Sequence, residues 1–72
     1  MRKINKIKIK LNGKVRLIYN NCSILDLVKN LKIPINKVAI ELNQEIIDKK
    51  KINKIILKNN DKIEIVHFIG GG

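Results

Sequence analysis

The sequence is poor in cysteine, proline, aromatic and acidic residues: its 72 residues include one cysteine, one proline, one tyrosine, one phenylalanine and six acidic residues. The single cysteine, Cys22, excludes an internal disulfide and is typical of a reducing compartment. The basic start, residues 1–6, lacks the apolar segment of a secretory signal, and no apolar run is long enough to span a bilayer. We therefore expect one small domain in the cytoplasm, or in the plastid stroma if the gene is organellar, with no membrane partner.

Residues that build catalytic or metal sites are also scarce. The four glycines are Gly13 and the three residues 70–72, so the chain has no glycine-rich loop to hold a phosphate. A lone histidine, His67, has no Cys, Asp or Glu around it at metal-ligand spacing. Ser23 is better explained as a helix cap than as a nucleophile. The sequence therefore predicts neither an enzyme active site nor a metal or permanently bound cofactor.

Basic residues outnumber acidic ones by 16 to 6, which gives a formal net charge of +10. Such a charge suggests a basic nucleic-acid-binding domain as an alternative function. However, Lys49–Lys51 is the only lysine run, and only Tyr19 and Phe68 could stack on bases. Lys, Ile and Asn make up 40 of the 72 residues, a bias typical of an AT-rich genome. We therefore attribute the charge to composition and do not expect a nucleic-acid partner.

The first half of the chain predicts a hairpin and a helix. Apolar residues alternate with lysines over 6–11, and Val15, Leu17 and Tyr19 alternate with Arg16 and Ile18 over 15–19. Asn12-Gly13 between the two segments favours a type I′ turn. Ser23 with Asp26 three residues later approximates a capping box. The helix then presents an apolar stripe made of Ile24, Leu27, Val28 and Leu31. It should end before Pro34.

The second half predicts three more strands. The elements are strands over 38–43 and 45–47, a loop or short helical turn over 48–54, a turn over 59–61 and a strand that begins at Lys62. Ile55 and Leu57 should help to close the core. The order ββαββ, with first and last strands parallel, describes an α+β domain of the β-grasp type, in which a mixed sheet of about four or five strands packs on one main helix.

The last strand changes its pattern near its end. Ile63 and Ile65 point to one face, while Val66 and Phe68 share the opposite parity with Glu64. Two interpretations follow: Val66 and Phe68 form an exposed docking surface, or the strand twists so that Phe68 enters the core.

Three glycines follow this strand, and Gly72 ends the sequence. Glycines at Gly70 and Gly71 would let the backbone lie in a narrow channel, and the lack of a Cβ at Gly72 would leave its carboxyl carbon open to a nucleophile. The alternative is a frayed terminus without function. We expect one domain over 1–72 with a flexible tail over 69–72, and the carboxylate of Gly72 as its working group.

Three blocks of this sequence resemble the ThiS family, the sulfur carriers of thiamine thiazole biosynthesis. They are Ser23–Val28, Val38–Asn43 and Asp61–Gly72, of which the last is the most specific. Gln44 and Asn60 stand where that family often has glycine. The likeness extends over most of the chain and leaves residues 1–6 outside.

The resemblance implies a ubiquitin-like carrier that is no enzyme itself. An adenylating, E1-like partner would activate the Gly72 carboxylate with ATP, a sulfur donor protein would convert it to a thiocarboxylate, and thiazole synthase would accept the sulfur. ATP would be bound by the partner and not by this chain. Val66, Phe68 and Ile69 would contact partners, and Gly70 and Gly71 would provide reach. The small subunit of molybdopterin synthase, which also uses a terminal diglycine, is the alternative within this fold.

Overall fold

The computed structural model describes residues 5–68. It contains five strands, one α-helix and two short 3₁₀ turns. The strands and the helix are β1 (Lys6–Leu11), β2 (Lys14–Tyr19), α1 (Ile24–Asn30), β3 (Val38–Leu42), β4 (Glu45–Ile46) and β5 (Lys62–His67). The 3₁₀ turns are Ile35–Lys37 and Lys49–Lys51. None of the helices in the described range is long and apolar enough to cross a membrane.

The five strands form one mixed sheet in the order β2-β1-β5-β3-β4. β1 and β2 form an antiparallel hairpin, and β3 is antiparallel to both β4 and β5. The first and last strands, β1 and β5, are parallel neighbours. The predicted β-grasp architecture is therefore confirmed, and β5 occupies the centre of the sheet.

Left-handed backbone positions make the sharp turns of the chain. Asn12 (φ 50°) and Gly13 (φ 84°) both have positive φ, as the predicted type I′ turn requires. Gln44 (φ 73°) and Asn60 (φ 72°) also lie in this region. Neither position is a glycine, and asparagine is among the non-glycine residues that tolerate this conformation best. Both turns therefore form without a glycine at these positions.

The helix begins with the predicted capping box. The Ser23 hydroxyl oxygen accepts a hydrogen bond from the Asp26 N–H (3.0 Å), and the Asp26 carboxylate accepts one from the Ser23 N–H (3.1 Å). The chain leaves the helix through Lys32, whose φ of 58° ends the regular geometry before Pro34. The cap therefore fixes where the helix starts relative to the sheet.

The core lies between the helix and one face of the sheet. The predicted stripe supplies three buried residues, Ile24, Leu27 and Val28, while Leu31 is only partly buried. The sheet and the last loops supply Ile9, Ile18, Val38, Ile40, Ile52, Leu57, Ile63 and Ile65. Leu57 is buried and Ile55 partly so, as predicted.

One core residue comes from the segment that the sequence predicts as a polar loop. Ile52 follows the Lys49–Lys51 turn and is 4% exposed. Its carbonyl accepts a hydrogen bond from the N–H of Leu25 (3.1 Å), and the Ile55 carbonyl accepts one from Ile24 (3.0 Å). Backbone hydrogen bonds and the buried Ile52 side chain therefore hold the lysine-rich loop against the start of the helix.

Candidate functional site

The candidate site is the end of β5, from which the glycine tail continues. We call residues Val66, His67 and Phe68 the tail root. The predicted site residues Ile69, Gly70, Gly71 and Gly72 lie outside the described residues. The structure therefore bears on the tail root and on the elements that hold it.

The tail root is held on one side by β3. Val66 pairs with Ala39 and His67 with Val38 in the antiparallel register. The Phe68 N–H donates a hydrogen bond to the Lys37 carbonyl at 2.9 Å, which extends the pairing beyond the last strand residue. The chain thus leaves the centre of the sheet along a defined direction.

On the other side of β5, an asparagine from the hairpin turn extends the hydrogen bonding between β1 and β5. The Asn12 N–H donates to the Ile63 carbonyl at 3.0 Å. Its side-chain oxygen accepts from the Ile65 N–H at 2.8 Å, and its side-chain nitrogen donates to the Ile65 carbonyl at 3.3 Å. Asn12 therefore pairs with β5 as a strand residue would, one position past the end of β1.

A second asparagine anchors the start of β5. The Asn43 side chain accepts a hydrogen bond from the Lys62 N–H (2.9 Å) and donates one to the Asp61 carboxylate (3.0 Å). Its own N–H donates to the Lys62 carbonyl at 2.7 Å. Contacts to residues far along the chain leave no local pattern, so the sequence does not predict the pairing of Asn12 and Asn43 with β5.

The tail root presents apolar side chains to solvent. Val66 is 52% exposed and Phe68 59% exposed. Phe68 therefore does not enter the core, and the exposure that the docking interpretation requires is present. The alternation continues to the strand end, which places Val66 on the sheet face opposite the helix.

A lysine lies against the aromatic ring of the tail root. The Lys49 Nζ is 5.1 Å from the centroid of the Phe68 ring, within the range of a cation–π interaction. Lys49 belongs to the lysine-rich 3₁₀ turn, and the Lys37 carbonyl receives the Phe68 N–H. Positive charge therefore accompanies the apolar surface from which the tail continues.

Cys22 lies immediately before the helix, where its carbonyl accepts a hydrogen bond from the Leu57 N–H (2.8 Å), and it takes no part in the hydrogen bonds described for the tail root. It is half-buried, and its Sγ donates a weak hydrogen bond to the Ser23 carbonyl at 3.4 Å. Burial raises the pKa of the Cys22 thiol, and the nearby Asp26 carboxylate raises it further. A helix N-terminus would lower this pKa, so these causes act against a reactive thiolate.

The remaining candidate residues fit their structural interpretations. His67 is exposed on the last strand, and Ser23 caps the helix. Within residues 5–68, no group of three or more His, Cys, Asp or Glu side chains is arranged to hold a metal ion.

Comparison with known proteins agrees with this architecture. The model of the ThiS family matches residues 9–72. The sulfur carrier protein ThiS of Bacillus subtilis is 40% identical over 65 residues, which are 89% of this chain and 98% of that protein. A crystal structure of the thiamine biosynthesis protein ThiS from Geobacter metallireducens matches with a TM-score of 0.81 and 26% identity, covering 92% of this chain and 100% of that one.

Larger proteins contain a similar segment. A thiazole synthase of Magnetococcus marinus is 35% identical over 66 residues, which are 92% of this chain but 20% of that protein. This chain thus spans about a fifth of the length of that relative. The match of the family over residues 9–72, the fold and the intact relative from Bacillus subtilis lead to one conclusion: the chain belongs to the ThiS family.

Proposed function

We propose that this protein is a sulfur carrier whose Gly72 carboxylate is converted to a thiocarboxylate and supplies the sulfur for thiazole formation in thiamine biosynthesis. The observation that carries the proposal is the exposed tail root, which joins a glycine tail to the central strand of a ThiS-family fold. The chain acts as a co-substrate, and its partners perform the catalysis.

The chemistry requires activation because a carboxylate is a poor electrophile. In the proposed sequence, a Gly72 carboxylate oxygen attacks the α-phosphorus of ATP on an adenylating partner, and pyrophosphate leaves. The terminal sulfur of a persulfide on the donor protein then attacks the acyl carbon and displaces AMP, which joins carrier and donor through an acyl disulfide. A second thiol attacks the donor's sulfur of that S–S bond, forms a disulfide with it and releases the carrier as a thiocarboxylate, with one sulfur in place of one oxygen. Glycine at Gly71 and Gly72 leaves the acyl carbon free of side-chain bulk.

Partner recognition is assigned to the apolar surface beside the tail. Val66 and Phe68 are exposed in a chain that otherwise presents many lysines, and we include the adjacent Ile69 in the same surface. Aromatic residues of this kind often dominate the binding energy of an interface. The adenylating enzyme and thiazole synthase would use this surface in turn, because both must reach the same carboxyl group.

The thiazole synthase relatives support the choice of acceptor. In two proteins of that name a segment similar to this chain is part of a longer polypeptide. A covalently joined segment would be delivered to the synthase at high effective concentration. We infer that a separate chain of this family docks on the same class of enzyme.

The test is the intact mass after incubation with ATP, an adenylating enzyme of this pathway and its sulfur donor. The expected result is a gain equal to the exchange of one oxygen for one sulfur. A chain truncated after Ile69 is the control and should show no gain. Because the described core is built from residues 9–65, its thermal unfolding should match that of the full chain.

No gain in the full-length chain, with a partner that demonstrably loads its own carrier, would contradict the proposal. In that case oligonucleotide binding would be measured next, since the basic surface remains the other candidate interface. Nucleic-acid binding would fall steeply with salt and would persist in the truncated chain.

A further inference from the structure

The outer edge of β2 is an open hydrogen-bonding surface. β2 is the first strand in the sheet order, and within residues 5–68 it pairs only with β1. The antiparallel ladder continues as far as Asn20, whose N–H donates to the Asn5 carbonyl at 2.9 Å. Bonded and non-bonded pairs alternate along such a ladder. Counting back from Asn20, the backbone groups directed away from β1 belong to Val15, Leu17 and Tyr19, which we call the edge strip.

The edge strip also exposes its side chains. Val15 and Leu17 are each 60% exposed and Tyr19 is 59% exposed. They lie on the sheet face opposite the helix, where Leu17 pairs with Lys8 and Tyr19 with Lys6. The Lys6 Nζ is 5.3 Å from the centroid of the Tyr19 ring. One strand thus offers apolar side chains and free backbone groups at the same residues, with lysines beside them.

The helix-side face of the same strand has a different character. Lys14 and Arg16 are exposed there, and only Ile18 turns into the core. A groove of about 370 Å³ lies between β2 and α1, with Arg16, Cys22, Asp26 and Asn30 among its lining residues. The Asp26 carboxylate already accepts the Ser23 N–H of the capping box. The groove therefore has room for side chains of an added strand, and β2 itself contributes two cations, Lys14 and Arg16, to this face against the one Asp26 carboxylate.

Charge decides which strand could be added. A second copy of this chain pairing edge to edge would place the Lys14 and Arg16 of both copies on the same face of the joined sheet. In the antiparallel registers that set Arg16 opposite Arg16 or opposite Lys14, like charges directly opposite are destabilising. A strand with acidic side chains on its helix-side face would instead meet two cations. On its other face, apolar side chains would cover the edge strip. The fitting pattern is an alternation of apolar and acidic residues.

We propose that β2 binds an extended, alternately apolar and acidic segment of a partner protein, which joins the sheet as a sixth strand. This interaction is independent of the glycine tail. In the pairing of β1 with β2, Leu17 lies opposite Lys8. In the parallel pairing of β1 with β5, Val66 corresponds to a point six residue spacings beyond Lys8, past the end of β1. The two surfaces are therefore about 20 Å apart along the strand direction. A partner could therefore hold the edge while the tail occupies an enzyme.

The probe is a fluorescein-labelled, end-blocked peptide in which valine and glutamate alternate over six positions. Three comparison peptides have the same length: one with three valines followed by three glutamates, one with lysine in place of glutamate, and one with N-methyl groups on alternate residues. We expect the alternating acidic peptide to bind at least about tenfold more tightly than the block and lysine peptides. N-methylation is tested in both registers: methyl groups on the N–H groups that face β2 should weaken binding by a similar factor, and methyl groups in the other register should change it little.

Amide hydrogen exchange distinguishes strand addition from a general attraction between an acidic peptide and this basic protein, because only strand addition protects particular amides. On binding, the amides of Val15, Leu17 and Tyr19 should gain protection. The amides of Arg16 and Ile18 already bond to β1 and should change little. Failure of the alternating peptide to bind, or binding without protection of the edge strip, would overturn the proposal.

Protein variants test the same surface. Arg16→Glu should weaken peptide binding at least about tenfold, whereas Lys51→Glu, the same kind of charge reversal in a distant loop, should change it little. Leu17→Pro should abolish binding, because its N–H faces the open edge and is not needed by β1. Equal effects of the two charge reversals would overturn the proposal. So would a dimer in sedimentation equilibrium that protects the edge strip without peptide.

Discussion

The side chain of Asn12 takes the place of a strand residue beside Ile65. It accepts the Ile65 N–H at 2.8 Å and donates to the Ile65 carbonyl at 3.3 Å, across 53 positions of sequence. Ile65 is a buried residue of the central strand. One hairpin residue thus sets the left-handed turn and also holds the strand that ends in the tail root.

Substitutions at Asn12 should separate these two roles. Asn12→Gly keeps the positive φ but leaves the Ile65 N–H without its partner, and we expect a loss of about 1–3 kcal/mol in the free energy of unfolding. Asn12→Asp keeps the accepting oxygen and should lose less. Asn12→Ala should lose at least as much as Asn12→Gly, because alanine is also strained at φ 50°. Urea denaturation measures all three, and equal stability of the Gly and Asp variants would contradict the role of the accepted hydrogen bond.

Phe68 should matter for partner binding more than for stability. Phe68→Ala removes a 59% exposed ring and its cation–π contact with Lys49, so the free energy of unfolding should fall by less than about 1 kcal/mol. The KM of the adenylating enzyme for this carrier should rise at least about tenfold, as for an aromatic anchor of an interface.

Leu17→Ala is the matched control for Phe68→Ala. Leu17 is 60% exposed on the same sheet but lies far from the tail root. Its substitution should leave the KM for adenylation unchanged. A larger effect on unfolding than on KM in the Phe68 variant would refute its assignment as a contact residue.

Much of this fold was predictable because its signals are local. The hairpin follows from alternation around Asn12-Gly13, and the helix start follows from Ser23 and Asp26 three residues apart. Strand parity allows the exposure of Phe68 as one of two interpretations, and the structure preserves that parity to the end of β5. Each of these depends on residues within a few positions of one another.

The features that the sequence does not predict depend either on contacts between residues far apart in the chain or on one buried residue without a periodic pattern around it. The bond between Asn12 and Ile65 joins two ends of the chain and has no periodicity. In β2, Ile18 alone turns inward while the more numerous apolar residues of the edge strip face solvent. Ile52 is buried next to three lysines, where no apolar pattern marks it.

Ile52 should therefore be a stability determinant despite its neighbours. It is 4% exposed, and Ile52→Ala should lower the free energy of unfolding by about 2–4 kcal/mol. Ile56, four residues later, is 44% exposed, and Ile56→Ala should cost much less. Chemical denaturation of the pair tests this directly. Similar losses for both would mean that the loop is not anchored through Ile52.

Acid should weaken the helix cap. The pKa of Asp26 is lowered, chiefly by the hydrogen bond from the Ser23 N–H and next by the Ser23 side chain. A folded-state pKa below the unfolded value stabilises the fold above the unfolded pKa of about 3.9. That contribution is lost as the pH falls through the lower, folded-state pKa.

The measurement is the shift in the urea midpoint between pH 7 and pH 3. It should be larger for the natural chain than for Asp26→Asn, which has no carboxylate to protonate at this position. Ser23→Ala, which removes the hydroxyl and keeps the carboxylate, should show an intermediate shift. An unchanged acid shift in Asp26→Asn would show that the cap does not titrate with Asp26.

Cys22 should react slowly and should be dispensable for sulfur loading. Burial first, and then Asp26, raise the pKa of its thiol. The rate of alkylation by iodoacetamide should therefore rise with pH to a midpoint above the ordinary value of about 8.5. Asp26→Asn should move that midpoint down part of the way, because burial remains.

The same residue distinguishes two ways of holding sulfur. A persulfide on Cys22 would add a whole sulfur atom to the mass and would be removed by dithiothreitol. Exchange of oxygen for sulfur at the Gly72 carboxyl resists that reductant and needs no thiol in the chain. Cys22→Ser should therefore show the full mass gain after incubation with ATP and the partner enzymes. Loss of the gain in this variant, with its fold intact, would place the sulfur on Cys22 and not on the tail.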